Sequence, residues 1–135
     1  MTLKEIKDHV MFQTNNDADD VGDFEPSLEH YINDAYNRLI MAWGGQHLKY
    51  DDDDPLSNYP PLSEDDDEPD LPGWLHQYIA DWATWLVYRN GNPQKQSRGY
   101  VYRNSFEDAL AKIRNQGGLA GQTTDYKNFR NHLDP

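Results

Sequence analysis

The chain has no cysteine among its 135 residues, which excludes disulfides, thiolate metal sites and cysteine nucleophiles, and leaves the redox compartment undetermined. No apolar run approaches the roughly 18 to 20 residues needed to span a bilayer, so no membrane association is expected. Met1-Thr2-Leu3-Lys4-Glu5 opens a helix, not a signal peptide, and the expectation is a soluble, unsecreted protein. Positive charge is also scarce. Twelve Lys and Arg stand against 24 Asp and Glu, a formal net charge of −12, which argues against general affinity for nucleic-acid phosphates or anionic lipid. Alternation rich in valine or isoleucine is missing, and with it any sign of strands. No internal repeat is evident.

What is present is aromatic and helical. Residues 71 to 103 hold three of the four tryptophans, Trp74, Trp82 and Trp85. From Trp74 to Val87 the apolar residues cover most of a 3.6-residue period, the pattern of a helix buried nearly all round. Gln77, Asp81, Thr84 and Tyr88 form a narrow polar stripe that should face a neighbouring helix, a water-filled seam or another subunit. Leu71-Pro72-Gly73 supplies the start. At the end, Gly91 is expected as a left-handed C-cap, with Asn92 as N-cap and Pro93 as the first residue of another helix.

Taken in order, Thr2 and Glu5 fit a capping box, starting a helix with Leu3, Ile6 and Val10 on one face and ending near Gln13. Residues 14 to 23 have loop composition. A second helix is expected from Glu25 or Pro26 to Trp43, with Leu28, Tyr31, Ile32, Ala35, Tyr36, Leu39, Ile40 and Trp43 inward and Glu29, His30, Asn33, Asn37 and Arg38 outward. Residues 51 to 70 carry ten carboxylates and four prolines and read as an acidic surface excursion unable to pack a core, with Tyr59, Leu62 and Leu71 as its available anchors. The last helix should run from Pro93 to about Arg114, with Gly99 as a weak point and Gly117-Gly118 as its end. The expected fold is therefore all-α: a bundle of about four helices over residues 1–116, with the acidic loop 51–70 inside it and a C-terminal arm at 117–135.

Chemical motifs are weak. Asp17, Asp19, Gly22, Asp23 and Glu25 fall into a calcium-loop register, but Val21 and Leu28 occupy two ligand positions and the bidentate glutamate is absent. None of the five histidines stands at ligand spacing with another, and no phosphate-cradling or nucleophile-elbow motif occurs. No metal and no cofactor is expected. His76 reads as a capping or surface residue. Asp81, among aromatics, could act as a general acid if its pKa were raised, but an ion pair with Arg38 or Arg103 is the stronger expectation.

Charge is divided along the chain: residues 1–87 hold 20 acidic and 4 basic side chains, and residues 88–135 hold 4 acidic and 8 basic. The cations Arg89, Lys95, Arg98 and Arg103, interleaved with Tyr88, Tyr100 and Tyr102, superficially resemble a nucleic-acid face and equally suit the rim of a protein interface.

Four segments carry a family resemblance: Ile32-Asn33-Asp34-Ala35-Tyr36, Leu71-Pro72 before the aromatic helix, Gly91-Asn92-Pro93-Gln94-Lys95 at the turn, and Phe106-Glu107-Asp108-Ala109-Leu110. With the order of helices around them, they make residues 3 to 115 resemble the head-tail connector proteins of tailed bacteriophages, also called adaptor or head-completion proteins. The resemblance implies a virion protein at the head-tail interface, made in the host bacterial cytoplasm and without catalysis. It implies a homo-oligomeric ring, commonly of twelve subunits, that binds the portal protein, meets the tail or a second connector, and extends a channel through which DNA passes without specific binding. The candidate contact residues are Arg89, Lys95, Arg98 and Arg103, with Phe129, Arg130 and Leu133 in a portal-docking arm. The long acidic excursion departs from the family pattern. Two other readings compete with it: an acidic DNA mimic or other interaction module, and an enzyme using Asp81 and His76.

Overall fold

A computed structural model describes residues 1–14, 18–46 and 59–122, with side-chain environments in 1–14, 27–44 and 59–115. All its regular structure is helical: α1 (Leu3–Gln13), α2 (Ala18–Gln46), a single 3-10 turn (Gly73–Leu75), α3 (His76–Arg89) and α4 (Pro93–Gln122), with no strand among the described residues. The expected four-helix, all-α bundle is what forms.

The start of α1 follows from its sequence. Thr2 accepts from the Glu5 amide at 3.1 Å and the Glu5 carboxylate accepts from the Thr2 amide at 2.8 Å, so two amides at the helix start are satisfied locally. Two more are met from far away, because Leu3 and Lys4 donate to the carbonyls of Asp67 and Asp65 at 2.7 and 3.1 Å. The helix closes on Thr14, whose buried hydroxyl donates back to the Val10 carbonyl at 2.9 Å.

Helix α3 is central and packs against all three others. Ile79 through Tyr88 is buried without interruption, as expected for a helix apolar on nearly every side. Around it Leu3, Ile6 and Val10 of α1, Leu28, Ile32, Tyr36, Leu39 and Ile40 of α2, and Phe106, Ala109 and Ile113 of α4 complete one core.

Several boundaries differ from expectation. Helix α2 begins at Ala18, so residues 18–23 are helical and not loop. Trp74 lies in the 3-10 turn and is 37% exposed, so it stands outside the buried part of the segment. Gly91 does not take a left-handed conformation; Asn90, at φ −85° and ψ 3°, terminates α3, and its side-chain amide donates to the Leu86 carbonyl at 2.8 Å. With that carbonyl satisfied, the turn has no need of positive φ.

Asn92 does cap α4, accepting from the Lys95 amide at 3.0 Å, with Pro93 in the first turn. Helix α4 passes through Gly99 unbroken. A Cβ there would stand 2.7 Å from Trp85 Cε3 and 2.8 Å from Tyr88 Cβ, so Gly99 lets α4 approach α3 closely. Gly117-Gly118 does not end α4, which continues to Gln122; a glycine in a helix costs about 1 kcal/mol relative to alanine but removes no hydrogen bond.

The acidic excursion is part of the structure where it is described. Tyr59, Leu62 and Leu71, the anchors expected of it, are buried in the common core, while its carboxylates Glu64, Asp65, Asp66 and Glu68 stay exposed on the surface. Asn33 grips it at both backbone groups of Leu62, donating to the carbonyl at 2.9 Å and accepting from the amide at 2.8 Å. The Tyr36 hydroxyl accepts from the Asp70 amide at 2.9 Å, and Asp67 folds the tip by accepting from the Ser63 and Glu64 amides, both at 2.9 Å. Residues 59–72 thus form a fixed ledge across α2 and the start of α1. Asp51 to Asp54 lie outside the described residues.

Candidate functional site

The polar stripe of α3 faces α1 and α4. Asp81 is buried and accepts from Gln13 Nε2 and from the Ser105 hydroxyl, both at 2.8 Å. Thr84, also buried, donates to Gln13 Oε1 at 2.6 Å. Tyr88 stacks on Tyr102 at 6.3 Å, and Gln77 is exposed. Burial, followed by the nearby Asp81 charge, pushes the Tyr102 phenol above its ordinary pKa. One glutamine side chain therefore bridges two groups of α3, and one carboxylate bridges α1 and α4. This satisfies buried polar atoms and fixes the relative rotation of three helices.

The expected arginine partner for Asp81 is not there. Arg38 binds Asp34 at 2.8 Å and Arg103 binds Glu107 at 3.3 Å, each one helical turn away on its own helix; these local pairs form without crossing the bundle. His76 is buried and not on the surface. Its Nε2 lies 2.9 Å from the Leu71 carbonyl, which can only accept, so that nitrogen carries the hydrogen. Its Nδ1 is 2.8 Å from the Met1 amino nitrogen. His76 and Asp81 therefore serve separate connections. Among the described residues no group of three or more His, Asp or Glu is placed to hold a metal ion.

The four candidate cations separate into different environments. Arg89, the last residue of α3, lines a depression of about 130 Å³ with His30, Tyr31, Asp34, Arg38 and Leu86. Arg103 lies over the Trp85 ring at 5.6 Å, and that ring stacks on Tyr100 at 5.3 Å. Lys95 sits in the first turn of α4, its aliphatic chain close against Gly91. Arg98 is exposed on α4. Arg98 and Arg103 are five positions apart, which puts them about 140° apart around the helix, on either side of the line through Gly99 and Phe106 that packs inward. Phe129, Arg130 and Leu133 lie outside the described residues.

Asp34 organises the depression. Its Oδ2 receives Arg38 Nε at 2.8 Å and Trp82 Nε1 at 2.9 Å, and the Arg38 guanidinium lies 4.7 Å above the Trp82 ring. Burial pushes the Asp34 carboxyl upward, but the hydrogen bonds from Arg38 and Trp82 outweigh it and hold the pKa below the ordinary value. The spacing of Asp34 and Arg38 was visible in the sequence; the tryptophan 48 positions on was not. On the other flank, Tyr36 and the ledge residues Pro60, Pro61, Leu62, Ser63, Glu64, Asp67, Glu68 and Asp70 line a larger open cleft of about 430 Å³.

No family model matches the sequence, and no curated protein or solved structure matches it. The fold defines the class as an all-α bundle of four helices, with an acidic ledge on one flank of α2 and an arginine-bearing depression on the other.

Proposed function

We propose that this chain is a structural assembly protein of the head-tail connector type, a subunit of an oligomeric ring between the portal and the tail of a phage particle that lengthens the DNA channel. The observation that carries the reading is the ledge. A loop with this much like charge is normally solvated and unstructured, yet residues 59–72 are held by Asn33, Tyr36 and the first amides of α1, so Glu64, Asp65, Asp66 and Glu68 are presented at fixed positions on the surface. Fixed, oppositely charged surfaces on one small bundle suit repeated subunit contacts, and an acidic wall suits a conduit along which a duplex slides without sticking. The four segments that resemble the connector family fall on α2, the start of the 3-10 turn, the turn between α3 and α4, and α4, all inside the bundle.

The test is light scattering of the purified chain with portal protein. A complex of ring-sized mass is expected; persistent monomer with no portal binding would exclude the reading. The same fixed carboxylates favour a second reading, an acidic mimic of DNA, which requires competition with a duplex for a DNA-binding enzyme. Absence of such competition at every ionic strength would remove it.

A further inference from the structure

We infer that the depression between α2 and α3 is a carboxylate-binding basin whose occupant is the acidic ledge of a second copy of this chain. This rests on the assembly reading above and names the contact between neighbouring subunits.

The basin has donors to spare. Arg38 uses Nε on Asp34 and lays its guanidinium over the Trp82 ring, with no hydrogen bond from its two terminal amino groups among the described residues. Among the described residues nothing pairs with the Arg89 side chain, which is exposed at the basin edge. The Tyr31 hydroxyl accepts from Asn90 Nδ2 at 3.2 Å and retains its own hydrogen, and His30 completes the wall. Asp34 neutralises one of the two arginines, so the basin keeps a net positive charge in a chain of net charge −12. Two guanidiniums beside a hydroxyl donor suit an oxyanion, and a carboxylate is the oxyanion that the chain itself carries in excess.

The ledge supplies the complementary chemistry. Glu64, Asp65 and Asp66 are exposed, and no cation among the described residues pairs with them. Their backbone is already fixed, so docking them costs little loop entropy. The two surfaces are on different sides of the subunit: Asn33 holds the ledge and Arg38 lines the basin, and five positions along α2 correspond to about 140° of rotation. A ledge seated in a neighbour's basin leaves the neighbour's own ledge open for the next copy. Such a contact made head-to-tail closes into a ring or continues as a filament, whereas the same two surfaces docked reciprocally would stop at a two-fold dimer; the inferred contact is the head-to-tail form.

The experiment is sedimentation velocity at low ionic strength on the full chain, with Arg89→Glu as one variant and Asp65→Lys/Asp66→Lys as the other. Both alter exposed side chains that have no side-chain partner among the described residues, and circular dichroism checks that each variant is helical. Each alone is expected to weaken self-association at least tenfold. Mixing the two in equal amounts restores it, because the lysine ledge then meets the glutamate basin and the native ledge meets the native basin. Wild-type monomers throughout, variants that associate like wild type, or a mixture that fails to recover would each overturn the proposal. Variants that still form the native oligomer with portal would overturn this contact alone. Association that depends on Arg89 in a chain that never binds portal would uphold the contact and remove the connector reading.

Discussion

Gln13 Nε2 donates to Asp81 Oδ1 across 2.8 Å, joining the end of α1 to the middle of α3 over 68 positions of sequence. Together with Ser105 and Thr84 it turns the polar stripe of the central helix into a satisfied network. Asp81→Ala leaves donors on two other helices without an acceptor in a buried setting, and we expect a loss of about 1–3 kcal/mol of stability in urea unfolding. Ser105→Ala removes one of the two donors and should cost less. Asp81→Asn keeps an acceptor oxygen and should fall between wild type and Asp81→Ala; an Asp81→Ala protein as stable as wild type would show that the network does not hold the helices.

Gly99 and Gly73 should respond to alanine in opposite ways. At Gly99 the added Cβ meets Trp85 and Tyr88 at under 3 Å, and overpacking of this kind costs typically about 1–3 kcal/mol, against the usual helix gain of about 1 kcal/mol. At Gly73 a Cβ meets nothing within 4 Å, so alanine should be neutral or stabilising by up to about 1 kcal/mol through the unfolded chain. Thermal melts of the two variants decide it.

Asn33→Ala should release the ledge without unfolding the bundle. Its two bonds to Leu62 are part-buried, and their loss is expected to cost roughly 1–3 kcal/mol. Hydrogen exchange gives the more specific readout. The Leu62 amide should lose protection, and so should the Leu3 and Lys4 amides, whose acceptors are carbonyls of the ledge, while amides in the middle of α3 remain protected.

Acid should destabilise the protein through carboxyls that bind protons less readily when folded. The Asp34 carboxyl is held low by Arg38 and Trp82 against the opposing effect of burial. That of Asp67 is held low by the Glu64 and Ser63 amides, and that of Glu5 by the amide and hydroxyl of Thr2. A folded pKa below the unfolded one means stability that is complete above the unfolded value, about 3.9 for Asp and 4.3 for Glu, and is lost as pH falls through the folded value. The urea midpoint should therefore be flat from neutral pH to about 5 and fall below about 4. Asp34→Asn should lower the midpoint at neutral pH and make the acid limb shallower.

The fold was legible because its signals are local. A capping box, a 3.6-residue apolar period and an Asn-Pro helix start each act within a few residues, and α1, α3 and the start of α4 follow from them. Boundaries set by longer-range effects were not legible. Gly99 reads as a weak point in sequence, and only the approach of Trp85 shows why glycine belongs there. Asn33 reads as a solvent-facing residue until the Leu62 backbone arrives 29 positions later. Asp81 drew attention for its aromatic neighbours, but its partners are uncharged side chains from two other helices, a pairing that no spacing rule encodes. The candidate cations were visible as residue types; that Arg89 joins Arg38 in one basin while Arg98 and Arg103 diverge depends on helix rotation within the bundle.

If this bundle is a repeated subunit of a ring on a portal, as we propose, the ring should be visible directly. Electron microscopy of the chain mixed with portal tests it most directly. Class averages should show a closed ring coaxial with the portal, built from copies in head-to-tail contact; portal rings without added density, beside free monomers of this chain, would rule the connector role out.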